Sequence, residues 1–237
     1  MSDAVLEMTA DTGRGPAGPA PAPADLYGFA SSLVVLHKPD SAEAESIRGL
    51  RSNLLSQHIH AGRRALVLCA AAAGSGCTFT ATNLAVALSQ VGLNTLLVDA
   101  AIRDPAVGRV IRPPSPPVGL ARRLADEDAA FDSFIDGRPL PNLSIVYAGE
   151  TSARAQEVLA TDRFRGFATW CMRQFDITIV DTPPANRSHD VRHIAPAFGS
   201  ALLVVRRNRT YVRDLKALSS QLTADGVRIV GAAMCGA

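Results

Sequence analysis

Short apolar runs alternate with longer helical stretches along most of this chain. Several of the apolar runs are rich in β-branched residues and are continuous, which is typical of strands buried on both faces of a sheet. These runs are Ala65–Cys69, Thr95–Asp99, Leu143–Tyr147, Ile177–Asp181 and Ala201–Val205, with a final strand predicted over Val227–Ala232. Helices are predicted between them over Thr80–Val91, Thr161–Gln174 and Tyr211–Ala224. The alternation predicts an α/β fold, with a doubly wound, mostly parallel sheet whose ligand site lies at the carboxyl ends of the strands.

The N-terminal part of the chain has a different composition. Residues 1–30 are dominated by Pro, Ala and Gly and carry few large apolar groups, so we expect a disordered tail. A helix is predicted from Ser41 to His60, because Ser41 suits an N-cap position and Ile47, Leu50 and Leu54 recur at helical spacing. We therefore expect one domain over residues 31–237.

Composition and charge narrow the classes of function. The net charge of +2 comes from arginines spread along all 237 residues rather than from a dense basic block, so nucleic acid is not an expected partner. The four cysteines form no CxxC pair, which indicates neither a zinc site nor a disulfide framework. The sequence shows neither a signal peptide pattern nor a long apolar run, so we expect a cytoplasmic protein without direct membrane insertion.

A glycine-containing loop follows the first of these strands and leads into a helix. Its candidate nucleotide-binding residues are Gly74, Ser75, Gly76, Cys77, Thr78 and Phe79. Glycines there let backbone N–H groups and the helix N-terminus surround a phosphate, and Thr78 stands where a hydroxyl would bind Mg²⁺. The simpler alternative is a tight turn with no ligand.

The residue before Thr78 departs from the P-loop pattern. A P-loop has a lysine there to reach the β and γ phosphates, and this chain has Cys77. Cys77 is interpreted as a tolerated small residue, with a redox-sensitive thiol as the alternative. The two lysines of the chain, Lys38 and Lys216, lie in no phosphate-binding segment, so an arginine or a partner would have to supply the charge, and Arg103 is the nearest candidate in sequence.

Two aspartates end predicted strands. Asp99 and Asp181 are placed where carboxylates would support a magnesium ion held by Thr78, and the prolines after Asp181 end its strand sharply. The alternative is that each aspartate caps a turn or helix. The order of the loop and the two aspartates along the chain favours a metal site made of Thr78, Asp99 and Asp181.

At this point the sequence resembles the cytoplasmic bacterial tyrosine kinases of capsule and exopolysaccharide synthesis, within the wider deviant-Walker ATPases. The resemblance runs from about Ser41 to the C-terminus through the segments 45–54, 74–78, 83–85, 96–105 and 181–184, with Asp190 further on. It implies that Glu45, Arg48 and Arg51 form the family's E-x-x-R-x-x-R oligomer contact. Intrahelical ion pairs on a solvated face are the alternative for these three residues.

The departures from the family bear on catalysis. Ala101 stands where the family has the aspartate that assists the attacking hydroxyl, Cys77 replaces the lysine, and we expect this protein to lack the family's tyrosine-rich C-terminal tail. No catalytic residue is therefore predicted, and binding of ATP or ADP with Mg²⁺ is expected to be weak or absent.

The resemblance implies a function in spite of these losses. We expect a pseudokinase-like component of exopolysaccharide or capsule synthesis that regulates a membrane-embedded co-polymerase or export protein at the inner face of the membrane and that can assemble as a homo-oligomer. One alternative is a residual ATP-dependent tyrosine kinase or ATPase with an arginine such as Arg103 in place of the lysine. A second alternative is a partition-type positioning ATPase.

Overall fold

A computed structural model describes residues 26–151 and 155–236 of the chain. The strands are β1 Gly28–Phe29, β2 Ala65–Cys69, β3 Thr95–Asp99, β4 Ile111–Arg112, β5 Gly137–Leu140, β6 Leu143–Val146, β7 Ile177–Asp181, β8 Ser200–Arg206 and β9 Arg228–Cys235. The α-helices are α1 Val34–His37, α2 Ala42–Leu54, α3 Cys77–Ser89, α4 Val107–Val110, α5 Leu120–Ala125, α6 Ala155–Leu159, α7 Asp162–Gln174, α8 Val191–Phe198 and α9 Val212–Ala224. A π-helical turn, Leu55–Ile59, extends α2, and a 3-10 helix spans Phe131–Phe134.

Seven of the described strands form one sheet in the order β5–β6–β3–β7–β2–β8–β9. All neighbouring pairs are parallel except β5 and β6, which pair antiparallel at one edge. The predicted α/β class with a mostly parallel sheet is therefore confirmed. Strands β2, β3 and β7 lie side by side, so the loops that follow them open at one edge of the sheet.

Apolar residues fill both faces of this sheet. Along β2, Ala65, Val67 and Cys69 join one core cluster, and Leu66 and Leu68 join the other. The first cluster packs α7 and α8 against the sheet, and the second packs α2 and the almost fully buried α3. Among the described residues, no helix combines the length and the apolar character that a membrane crossing requires.

The helix predicted from Ser41 to His60 is confirmed with a change of winding near its end. The Ser41 hydroxyl accepts a hydrogen bond from the amide of Ala44 at 3.1 Å, which caps α2. The last turn is π-helical and buries His58, whose Nε2 lies 2.9 Å from the carbonyl of Ala65 at the start of β2. This contact ties the end of the helix to the central sheet.

The predicted tail boundary at residue 30 is wrong for residues 26–30. Tyr27 is buried, and β1 pairs antiparallel with β4, Gly28 with Arg112 and Phe29 with Ile111. The segment 26–30 is itself rich in large apolar residues, unlike the residues before it, and burial of the Tyr27 ring together with the β1–β4 hydrogen bonds stabilises it. Residues 1–25 of the predicted tail lie outside the described residues.

Candidate nucleotide-binding site

The glycine-containing loop joins β2 to α3 at the carboxyl edge of the sheet. Gly74 and Gly76 have φ angles of +74° and +94°, a region that residues with side chains rarely adopt. A Cβ on Gly76 would also lie 3.0 Å from Cys235 Sγ. The Ser75 hydroxyl donates a hydrogen bond to the carbonyl of Ala72 at 2.6 Å and holds the loop in its turn.

A pocket of about 480 Å³ opens beside this loop. All six predicted nucleotide-binding residues, from Gly74 to Phe79, contribute to its wall. The opposite wall comes from the segments that follow β3 and β7, including Ala101, Arg103, Pro183 and Arg187. Since the N-terminus of the thirteen-residue helix α3 also meets the pocket, its partial positive charge and free amides favour an anionic ligand.

Cys77 occupies the lysine position without replacing its function. Its thiol donates a hydrogen bond to the carbonyl of Leu68 in β2 at 3.1 Å. Burial, with a further contribution from the nearby charge of Asp181, raises the pKa of the Cys77 thiol well above its usual range. The thiol is therefore neutral, which argues against the redox-sensitive interpretation and leaves this position of the loop without a cation.

Thr78 and Asp181 are brought together from 103 positions apart. The Thr78 hydroxyl donates to Asp181 Oδ2 at 2.6 Å, and the buried Oδ1 has no hydrogen-bond partner among the described residues. Burial, followed by repulsion from Asp99, raises the pKa of Asp181 to about 7. A hydroxyl and a carboxylate with a free oxygen suit Mg²⁺, which takes one or two protein ligands and completes its shell with water and phosphate oxygens.

Asp99 lies beside Asp181 but has a different role. The two residues are Cα partners across β3 and β7. The Asp99 carboxylate accepts hydrogen bonds from the amides of Ala101 at 3.1 Å, Ala106 at 3.1 Å and Val107 at 3.0 Å. Burial nevertheless raises its pKa to about 6, and these amides moderate that effect. The turn-capping alternative is thus present in the structure, whereas a direct metal contact by Asp99 stays a prediction.

Position 101, in the segment after Asp99, holds an alanine where the resemblance implies an aspartate. Ala101 is 4% exposed and borders the pocket, and Asp99 is turned towards the backbone. No cluster of three or more His, Cys, Asp or Glu side chains suitable for a metal occurs within residues 26–151 and 155–236. The site therefore has the parts to bind a magnesium–phosphate ligand, and lacks a pocket-facing carboxylate at position 101.

Two arginines border the pocket. Arg103 Nε donates to Asp190 Oδ2 at 3.0 Å, and the Asp190 side chain is 1% exposed, so the arginine singled out from the sequence is held in an ion pair. Arg187 was missed by the sequence analysis. The sequence feature that could have identified it is a basic residue shortly after Asp181-Thr182-Pro183-Pro184, in the loop that follows a strand ending in a candidate metal ligand.

The predicted oligomer-contact residues make contacts within the chain. Arg48 and Glu45 form an intrahelical ion pair, with Arg48 Nη2 at 2.7 Å from Glu45 Oε2. Arg51 Nη1 donates to the carbonyl of Ala87 in α3 at 3.2 Å. The ion-pair alternative is therefore realised for Glu45 and Arg48, and an additional role between copies of the chain stays a prediction.

Comparison with known proteins relates the chain to bacterial kinases. The putative tyrosine-protein kinase CapB of Staphylococcus aureus is 27% identical over 204 residues, which cover 86% of this chain and 89% of that protein. Tyrosine-protein kinase etk of Escherichia coli is 26% identical over 86% of this chain, which spans only 28% of that longer protein. No protein-family model matches the chain.

Solved structures agree with this relationship. The kinase domain of Escherichia coli ETK has a TM-score of 0.78 at 26% identity, covering 86% of this chain and 79% of that domain. The cell division ATPase MinD of Pyrococcus furiosus has a TM-score of 0.63 at 22% identity, covering 71% of this chain and 70% of that chain, and shows a shared fold only. The homologues of this chain are therefore bacterial tyrosine kinases, and its fold is also that of the ATPase MinD.

Proposed function

We propose that this protein is a pseudokinase-like component of bacterial polysaccharide synthesis that binds a magnesium nucleotide and catalyses little or no phosphoryl transfer. One observation carries the proposal. Thr78 and Asp181 form a 2.6 Å hydrogen bond beside a P-loop-like turn, while the neighbouring lysine position holds a neutral thiol bonded to Leu68. A hydroxyl and a carboxylate that can bind a ligand are thus retained next to a position that lacks the positive charge of the P-loop lysine.

The missing groups act on the same reaction. A carboxylate that takes the proton from an attacking hydroxyl contributes roughly 10² to 10⁴ in rate, and one electrostatic contact to the transition state contributes roughly 10² to 10³. Ala101 and Cys77 provide neither group. Binding suffers less, because the loop amides, the N-terminus of α3, Thr78 and Asp181 remain. We therefore propose that ATP or ADP acts here as a regulatory ligand.

The cellular role follows from the resemblance and from the relatives. Because the homologues are bacterial tyrosine kinases and the motifs resemble those of capsule and exopolysaccharide systems, we place the protein in such a system. It would regulate a membrane-embedded co-polymerase or export protein at the inner face of the membrane. Glu45, Arg48 and Arg51 would contribute to a homo-oligomer by exchanging their contacts within the chain for contacts between copies.

Calorimetric titration combined with turnover assays tests the proposal. The wild-type chain should bind ATP and ADP in a Mg²⁺-dependent manner and release phosphate at a rate near background. Thr78→Val should remove the Mg²⁺ dependence, because it deletes the hydroxyl without changing the shape of the side chain. The double variant Cys77→Lys with Ala101→Asp should raise turnover by at least ~10²-fold, since it restores both groups.

Two results would contradict the proposal. Absence of any nucleotide binding by the wild type would leave only a structural scaffold. Rapid Mg²⁺-dependent phosphate release or tyrosine phosphorylation by the wild type, abolished by Thr78→Val, would favour the residual kinase or ATPase, the second candidate. That candidate is supported by the arginines at the pocket. A partition-type ATPase has only the fold-level likeness to MinD in its favour.

A further inference from the structure

We propose that Arg187 replaces the absent P-loop lysine as the cation that contacts the outer phosphates of the bound nucleotide. This inference rests on the nucleotide-binding function proposed above and assigns a residue to it. The proposed role is phosphate binding: Arg187 restores positive charge to the pocket, and the carboxylate missing at position 101 is not restored. The argument depends on where Arg187 is anchored, how its side chain is held, and what the other nearby cations do.

The backbone before Arg187 is fixed to the beginning of the P-loop-like turn. The amide of Ala185 donates to the carbonyl of Ala70 at 2.9 Å, and the amide of Asn186 donates to the carbonyl of Ala71 at 3.1 Å. The amide of Arg187 itself donates to the carbonyl of Pro184 at 2.9 Å and closes a tight turn. Arg187 therefore starts from a defined position beside the loop, from which a long side chain reaches the pocket that it borders.

The guanidinium of Arg187 is weakly held. The Arg187 side chain is 63% exposed, and its guanidinium pairs only loosely with Asp104, with Nη1 at 3.7 Å from Oδ2, beyond hydrogen-bond distance. Asp104 has a closer partner, because its Oδ1 accepts a hydrogen bond from Arg109 Nη2 at 2.8 Å. Arg187 can therefore turn towards a phosphate without breaking a strong bond and without leaving Asp104 unpaired.

Two other basic residues near the loop have fixed partners, whereas Arg209, whose Nη1 would lie 3.8 Å from a Cβ on Gly74, does not line the pocket. Arg103 is bonded to Asp190, whose side chain is almost fully buried, so its withdrawal would leave a buried charge unpaired. Arg206 Nη1 donates to the carbonyl of Gly74 at 3.0 Å and borders the separate groove between α2 and β9. Of the two arginines that line the pocket among the described residues, Arg187 is thus the one that is available to a ligand.

The chemistry of arginine suits this role. Guanidinium groups stay protonated at physiological pH and form paired hydrogen bonds with phosphate oxygens, whereas the neutral Cys77 thiol provides no charge. Because the side chain is exposed when no ligand is bound, its attraction for phosphate should weaken as salt concentration rises. AMP, which has a single phosphate at the inner position, should depend on Arg187 less than ATP does.

The test is Mg²⁺-dependent titration of ATP, ADP and AMP into the wild type, Arg187→Ala and Arg187→Lys. Arg187→Ala should weaken ATP binding about 10- to 100-fold, the size of one charge-assisted hydrogen bond, with a smaller effect on AMP. Arg187→Lys should recover part of the loss. The matched control is Arg165→Ala on α7, an arginine that is 60% exposed and forms its ion pair with its helix neighbour Asp162, and this variant should bind ATP within about two-fold of wild type.

The possible outcomes separate this inference from the proposed function. If the wild type binds ATP and Arg187→Ala binds it equally well, the Arg187 assignment is wrong while nucleotide binding stands. If the wild type binds no nucleotide, both fail. Should Arg187→Ala lose binding together with thermal stability, Arg187→Lys decides the question: recovered ATP affinity supports the assignment and a persistent loss overturns it.

Discussion

The substitution Asp181→Asn tests the electrostatics of the site. Asp181 is fully buried, and burial together with the charge of Asp99 raises its pKa from 3.8 to about 7. Each pKa unit corresponds to about 1.4 kcal/mol, so ionising this carboxyl costs the folded state on the order of 4 kcal/mol relative to the unfolded chain. Asparagine keeps the shape of the side chain and an oxygen that can accept the Thr78 hydroxyl, and it carries no charge.

The sign of the effect follows from proton binding. The folded protein holds this proton more tightly than the unfolded chain does, so the contribution of Asp181 to stability is complete below pH ~4 and is lost as the pH rises to about 7. Asp181→Asn removes that dependence. The unfolding free energy of the variant minus that of the wild type should increase by ~2–3 kcal/mol between pH 5 and pH 8. It should then stay constant, because Asp181 is ionised in both the folded and the unfolded wild type.

Urea denaturation at half-unit pH intervals measures this difference. Asp162→Asn is the matched control, because it removes one negative charge from a side chain that is 94% exposed, and it should follow the wild-type pH profile. Identical pH profiles for Asp181→Asn and the wild type would refute the reasoning, since they would mean that burial does not shift this carboxyl. The same pKa predicts that Mg²⁺-dependent nucleotide affinity of the wild type rises between pH 6 and pH 8, as the carboxylate becomes available to the metal.

Three further predictions address other parts of the molecule. Gly119→Ala should lower stability by at least ~2 kcal/mol in thermal or urea unfolding, because Gly119 has a φ of +88° and a Cβ there would lie 2.3 Å from the Cα of Gly149. Arg123→Ala should cost ~3 kcal/mol by the same measurement, since it leaves the 3%-exposed carboxylate of Asp136 without its ion pair. Iodoacetamide should modify Cys77 slowly at pH 8 in the folded protein and rapidly after unfolding, as followed by mass spectrometry, because its thiol pKa is raised.

The central sheet could be predicted from sequence because its strands are continuous apolar runs. β2, β3 and β7 are buried along their whole length, and the apolar composition that buries them is visible in the sequence itself. β1 and β5 were missed for physical reasons. β1 has two residues and exists through pairing with β4 some 80 positions later, and β5 is a short edge strand that contains Pro139.

The candidate site could be predicted in part. The turn at Gly74, the hydroxyl of Thr78 and the strand-end Asp181 follow from motif order, and the structure brings all three together. The sequence could not predict that Arg103 is held in an ion pair while Arg187 is only weakly paired, because each contact depends on a carboxylate elsewhere in the fold. An arginine's role is decided by which carboxylate lies within reach, and spacing along the sequence does not report that distance.

The three amides bound by Asp99 bear on how activity can be judged in related sequences. An aspartate that accepts hydrogen bonds from the backbone of residues 101–107 stabilises this segment whether or not a phosphate is ever transferred. Selection for a stable fold alone would retain it, so its presence is a poor marker of a working kinase. The informative positions are 77 and 101. Both hold uncharged residues in this chain: the Cys77 thiol bonds to the carbonyl of Leu68, and Ala101 is buried.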